Sequence, residues 1–342
     1  MNKFKLSEII DLEDSRRIPL STMQRRLMHG NFPYYSANGI IDHINNYIFE
    51  GEYILLAEDG SVMNSNRKPI MHITKANDKF WVSNHAHVFK ARQDISTKYL
   101  YYLLSSCDIS QIVTGAVQPK ISQENLLNLK LKVHSKPLQG HIVNTIGSVD
   151  DLIEKIEEKI RSLQLLSSTL YIQNYELNAN DVVYLGNVSQ VKTGKLNAEE
   201  ADENGLYPFF TCGSKELRID EPAFDCEAII IAGNGEISVK HYKGKFNAYQ
   251  RTYVLEPSEY FYLFLKECEN SIETLKNNSQ GSVIKFITKS MLENISIKVN
   301  DESSVTNRKL GQIYNLILNY KKQINCLSRM KNLLLKKYFT SL

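Results

Sequence analysis

The apolar residues between Pro137 and Tyr175 recur with a regular spacing. Ile142, Ile146, Val149, Ile153, Ile156, Ile160 and Leu163 are separated by steps of 4, 3, 4, 3, 4 and 3. This heptad rhythm predicts a long helix whose apolar stripe lies along another helix. One such helix cannot cover its own stripe, and the chain supplies a partner. Adding 164 to each number reaches Thr306, Leu310, Ile313, Ile317, Tyr320, Ile324 and Leu327, apolar at every position but the first. Two matched long helices, one central and one C-terminal, predict a chain built from two copies of one unit.

Shorter patterns fall between the helices. Residues 3–20 read as a short strand or helix followed by a polar loop. In Phe32-Pro33-Tyr34-Tyr35-Ser36, a proline among aromatics predicts an extended edge segment. Tyr53 to Ala57 predicts a buried strand ending in an Asp59-Gly60 turn. Residues 80–90 predict a further strand, and Ser96 caps a helix over 96–106. After a loop from Gly115 to Lys120, Leu126 to Val133 alternates as a strand. Ser135 and Pro137 then open the long helix.

The second half repeats this order, beginning at Val183. Tyr207 to Thr211 matches Phe32 to Ser36 at an offset of 175, as Ile229 to Ala232 with Gly235 matches Ile54 to Ala57 with Gly60. Thr252 to Leu255 matches Ala86 to Phe89 at 166. Gly281, Val283, Ile287, Leu292, Asn294, Lys298 and Val299 match Gly115, Val117, Ile121, Leu126, Asn128, Lys132 and Val133 at 166. Preserved order with slowly shrinking offsets is the mark of a duplication with loop deletions.

The net charge of +3 hides strong regional differences. Residues 1–137 carry net +4, 138–178 net −3, 179–304 net −6 and 305–342 net +8. Opposite charges on the two helices favour their pairing. The five cysteines are scattered, so buried free thiols are expected rather than zinc or disulfides. The first residues form no apolar signal core, and no apolar run reaches 18 residues, so the expectation is a cytoplasmic protein with no membrane span. No GxxxxGK[ST] loop, methyltransferase signature or GxSxG elbow occurs, so no catalytic residues are assigned and the chain itself is not expected to use ATP. His85 and His87 would share one strand face, but no cysteine or acid lies near them in sequence, and no metal is expected.

Two acid-free basic stretches are candidate nucleic-acid contacts. Residues 240–251 hold Lys240, Lys243, Lys245 and Arg251 among aromatics that include Tyr249, with Gln250 beside them. Their expected counterpart, Val62 to Lys75, holds Asn64, Asn66, Arg67 and Lys68. Such patches neutralise phosphates and bring polar groups to base edges, although a solvated hairpin has the same composition. Gln118, Lys120, Gln280 and Lys285 sit in matched glycine loops, where either DNA contact or backbone geometry accounts for the pattern.

In this order the blocks resemble the specificity subunits of type I restriction-modification systems. They are Phe32 to Gly39, Tyr53 to Gly60, Ile230 to Gly235, Lys245 to Arg251 and the basic end Leu333 to Phe339. The resemblance implies a mixed α/β chain with two target-recognition domains, over 1–137 and 179–304. They are separated by spacer helices at 138–178 and 305–342 that form an antiparallel coiled coil with internal pseudo-twofold symmetry. It implies that each domain reads half of a split site in double-stranded DNA. It also implies two methyltransferase subunits that use S-adenosylmethionine, and restriction subunits that use ATP and Mg. From Ile142 to Leu163 the seam spans ~32 Å at 1.5 Å per residue, close to the ~34 Å of one DNA turn. Two rivals stand beside this reading. One is a protein-binding scaffold with no DNA function, which a weak salt dependence of binding would reveal. The other is the recognition chain of another split or fused restriction-methylation system, which genomic neighbours would separate.

Overall fold

The run Ile54-Leu55-Leu56-Ala57 is apolar at every position because both of its faces are covered. Ile54 and Leu56 pack with Phe89, Tyr99, Leu100 and Leu103, while Leu55 packs with Phe49, Phe80, Val82 and Val88. A strand buried on both faces loses the alternation that marks a half-exposed one. The computed structural model describes residues 2–92, 95–115, 117–176, 181–213, 216–278 and 286–339. It divides into one unit of Met1–Glu154 with Cys326–Leu342 and a second of Lys155–Asn325.

In the first unit, Ile10–Leu12, Ala86–Ala91, Ile54–Ala57 and Met71–Ile73 form one antiparallel sheet in that order. A second sheet runs Gly39–Ile44, His29–Ser36, Lys79–Val82, Phe49–Glu50. Its strand His29–Ser36 is interior, not the expected edge. Pro33 is tolerated there because the parallel neighbour pairs only at Tyr34↔Trp81 and Tyr35↔Val82, so its missing N–H interrupts no ladder on that side. Helix Thr97–Ser106, capped by Ser96, covers the first sheet with Tyr99, Leu100 and Leu103. Two further expectations change. Residues 80–90 are two strands broken at Ser83 to His85, and Leu126 and Leu127 close the short helix Gln123–Leu127 before strand Lys130–Val133.

The second unit has the six-stranded order Val191–Thr193, Thr252–Leu255, Phe224–Ala232, Val239–Ala248, Tyr207–Phe210, Leu217–Ile219. Its registers repeat those of the first unit. The parallel pairs Phe209↔Asn247 and Phe210↔Ala248 reproduce Tyr34↔Trp81 and Tyr35↔Val82. Ile229↔Leu255 through Ala232↔Thr252 reproduces Ile54↔Phe89 through Ala57↔Ala86. One partner in each pair is displaced by 175 and the other by 166, so the two offsets meet across single strand pairs. The start of the repeat, which the sequence left unmatched, lies at 179: Leu6 N–H bonds Leu129 O and Leu185 N–H bonds Ile295 O, both at 2.8 Å.

The long helices span Lys136–Glu176 and Ser303–Phe339. Ile142, Ile146, Val149, Ile156, Ile160, Leu310, Ile313 and Ile317 are buried, and Ile153, Leu163, Tyr320, Ile324 and Leu327 are half-buried. Ile142 and Ile146 also enter the core beneath helix Thr97–Ser106, where Phe339 joins them. In the first unit Tyr338 Oη lies 3.0 Å from His141 Nε2 and Lys331 Nζ lies 2.6 Å from Asp150. In the second, Lys159 sits 5.7 Å over the Tyr320 ring, and Ser303 donates to Asn174 at 3.1 Å. Within each unit, then, one helix ascends as the other descends. Each unit also ties its short covering helix to a long one. Tyr102 donates to Asp150 at 2.7 Å, whereas in the second unit Tyr314 of the long helix donates to Glu269 of Phe261–Asn270 at 2.7 Å. Burial and the neighbouring carboxylate push both phenols far above their usual range, which keeps them donors. No helix among the described residues is long and apolar enough to cross a membrane.

Candidate nucleic-acid interface

Beyond strand Ile54–Ala57 the chain turns through Glu58, Asp59 and Gly60. Gly60 has φ +74° and its counterpart Gly235 +61°, a backbone region that a Cβ disfavours. Around this turn the two units build the same frame. Glu58 N–H bonds His85 O at 2.9 Å, Ser83 N–H bonds Tyr35 O at 2.9 Å and Ile121 N–H bonds Glu58 O at 2.8 Å. In the second unit Gly233 N–H bonds Arg251 O at 2.9 Å, Tyr249 N–H bonds Phe210 O at 2.9 Å and Ile287 N–H bonds Gly233 O at 2.8 Å. The turns Ser83-Asn84-His85 and Tyr249-Gln250-Arg251 are therefore equivalent. Asn84, His85, Gln250 and Arg251 are all exposed.

The side chains on this common frame differ. His85 Nδ1 lies 2.9 Å from both oxygens of Asp59. Below it His87 is fully buried, with Nδ1 2.6 Å from Asp14 and Nε2 2.9 Å from Ile121 O. Asp14 also accepts from Val88 N–H at 2.8 Å and from Gln123 at 2.9 Å. Burial acts to raise its pKa, but the His87 contact, the Val88 N–H and the charge of Arg17 together hold it below the usual carboxylate range. Arg17 lies 3.3 Å from Asp14 and 2.7 Å from Glu58, and Lys120 lies 3.3 Å from Glu58. Asp14, Glu58 and His87 are close enough to hold a cation, but the Arg17 guanidinium already supplies positive charge among them.

The second unit fills this space with a ring. Tyr253 replaces His87 and donates to Ile287 O at 2.8 Å. Gly233 replaces Glu58, since a Cβ there would stand 2.5 Å from Arg251 O and 2.7 Å from the Tyr253 ring. Gln250 Nε2 donates to Asn197 Oδ1 at 2.8 Å.

The residues singled out in the sequence scatter over this framework. The expected match of 240–251 to Val62–Lys75 is corrected by the strand registers. Val62 corresponds to Ile237 at 175 and Met71 to Val239 at 168, so 63–69 is an insertion of the first unit. Asn64, Asn66, Arg67 and Lys68 all lie in it. Asn64 Oδ1 accepts from the Asn66 and Lys68 N–H groups at 2.9 and 3.1 Å. Lys68 Nζ bonds Ser106 O at the end of helix Thr97–Ser106, and Arg67 lies 3.8 Å from Asp108. Lys240, Lys243 and Lys245 lie along strand Val239–Ala248. Lys240 sits over Phe210, and Lys243 pairs with Glu227 at 2.9 Å. Lys245 is exposed, and Tyr249, Gln250 and Arg251 form the turn after the strand. Gln118 and Lys120 are exposed beside the Asp59–Gly60 turn, where Gly60 N–H bonds Pro119 O at 3.0 Å. Gln280 and Lys285 lie outside the described residues. The histidine reading is also corrected: His85 lies in a turn and His87 in the core, and acids distant in sequence meet both. Sequence reasoning missed Asn84, His85 and Asp59 as counterparts of Gln250, Arg251 and Asn234. The 166 and 175 offsets already contained that signal.

The family model described as the type I restriction modification DNA specificity domain matches residues 1–164 and again 179–325. The chain belongs to this family. Each matched specificity-domain segment carries one full copy of the turn frame. The chain is similar to the EcoDI type I restriction enzyme specificity subunit of Escherichia coli, with 44% identity over 128 residues, 36% of this chain and 28% of that protein. A relative from Haemophilus influenzae is 28% identical over 219 residues, 61% of this chain and 55% of its own length. The match thus spans roughly a quarter to a half of these relatives. The crystal structure of the type I restriction-modification S subunit from M. genitalium aligns with a TM-score of 0.64 at 19% identity, over 99% of this chain and 96% of that one. That likeness is one of fold.

Proposed function

We propose that this chain is the DNA-reading specificity subunit of a type I restriction-modification complex, with each unit reading one half of a split site in double-stranded DNA. The observation that supports this most directly is that the specificity-domain model matches twice, on segments whose strand registers coincide pair for pair. Two readers of one build suit a duplex, whose two half-sites present the same kind of surface. The seam along Lys136–Glu176 and Ser303–Phe339 sets the separation of the half-sites. Exposed apolar residues on these helices, among them Leu165, Leu166, Ile172 and Leu333, receive two methyltransferase subunits. In this reading the chain is cytoplasmic and holds no catalytic group. S-adenosylmethionine, ATP and Mg serve the methyltransferase and restriction subunits. Methylome sequencing of cells carrying the chain with its methyltransferase tests the reading. A split motif that disappears when the chain is deleted is expected. A continuous motif, or one that survives the deletion, overturns it.

A further inference from the structure

The two units share a backbone frame but not the residues it displays. The frame is set by backbone hydrogen bonds, and the three matched bonds have the same lengths in both units. The exposed positions follow a different rule. At the first, Asn84 corresponds to Gln250: both are amides. At the second, His85 corresponds to Arg251. Asp59, which holds His85, corresponds to Asn234. A turn needed only for folding has no reason to keep an exposed amide in both copies while changing its neighbour from an imidazole held by a carboxylate to a guanidinium. A pair of readers for two unlike half-sites needs that pattern.

We infer that Asn84 and His85 in the first unit, and Gln250 and Arg251 in the second, are the specificity-determining residues that meet base edges in the major groove. The inference rests on the proposed DNA-reading function and deepens it. The amides pair with adenine, whose N6 donor and N7 acceptor match a carboxamide. Arg251 forms no ion pair among the described residues, so its fork is available for the O6 and N7 of guanine. His85 presents its second ring nitrogen while Asp59 fixes the first, and a single nitrogen cannot make a bidentate contact. The half-site of the second unit thus carries a guanine that the first does not select through this turn. The insertion 63–69, although basic, stands apart from this shared role because the second unit has no counterpart of it.

The test is selection from a randomised duplex pool by the full chain assembled with its methyltransferase subunits, followed by sequencing. Wild type should select a split motif. Arg251→Ala should lose its preference for guanine at one position of one half by roughly 5- to 150-fold and leave the other half unchanged. His85→Ala should alter only the opposite half. Arg251→Lys keeps the charge and can still donate to guanine but lacks the planar fork, so it should weaken the same preference without abolishing it while total affinity stays within a few-fold. It also serves if the alanine variant folds poorly. A wild-type motif retained at every position in both Arg251 variants overturns the inference and leaves the DNA-reading function standing, as does equal blurring of both halves by either substitution. If wild type selects no motif, the function itself fails and the inference falls with it.

Discussion

Replacing Asp14 with alanine strips the buried centre of the first unit. Three donors lose their acceptor: His87 Nδ1 at 2.6 Å, Val88 N–H at 2.8 Å and Gln123 Nε2 at 2.9 Å. Arg17 loses one of its two carboxylates and keeps Glu58. Each buried donor left without an acceptor costs about 1–3 kcal/mol, and Arg17 loses part of a buried ion pair. Partial rescue by Glu58, 3.7 Å from His87 Nδ1, places the expectation at the lower end. For a unit of this size that corresponds to roughly 2–4 °C of melting temperature per kcal/mol. Asp14→Asn keeps an acceptor for Val88 and should cost less. The pH dependence has a definite sign. Because the folded-state pKa of Asp14 lies below its unfolded value, its contribution is present above about pH 4 and fades as pH falls through the folded value. Both variants should therefore flatten the acid limb of the stability profile. Hydrogen exchange at Val88 N–H, with thermal melts from pH 7 downward, measures this. A loss under ~1 kcal/mol for Asp14→Ala would refute the reasoning, as would faster exchange centred on strand Phe224–Ala232 of the other unit.

Tyr253→Phe, at the position equivalent to His87, removes only one neutral hydrogen bond and should cost about 1 kcal/mol, read by urea unfolding. Lys68→Ala should loosen the end of helix Thr97–Ser106 and raise exchange there with DNA affinity unchanged, because Lys68 Nζ caps Ser106 O; a weakened salt slope of binding would reverse that assignment. Ile156→Asp buries an unpaired charge at a position 3% exposed and should destabilise the second unit by several kcal/mol, to be checked by calorimetry. Tyr102→Phe and Tyr314→Phe each remove a bond to a carboxylate and should each cost about 1.5–3 kcal/mol, with the loss confined to the unit that carries the substitution.

Periodicity and order were legible in the sequence because both are properties of neighbouring residues. The 4-3 steps from Ile142 to Leu163 specify a helix stripe in any context, and the blocks at 54–60 and 229–235 reveal a duplication without coordinates. Strand pairing decided what those patterns could not. That residues 63–69 are an insertion with no counterpart in the second unit follows only from which strands are hydrogen-bonded. Pro33 reads as an edge residue until the two-residue parallel contact beside it is seen. His87 reads as an exposed or hydrogen-bonded strand histidine, and only the fold shows that its partner is Asp14, distant in the chain, in the core. Burial and charge pairing arise from residues brought together across the fold, and a one-dimensional pattern carries no record of that proximity.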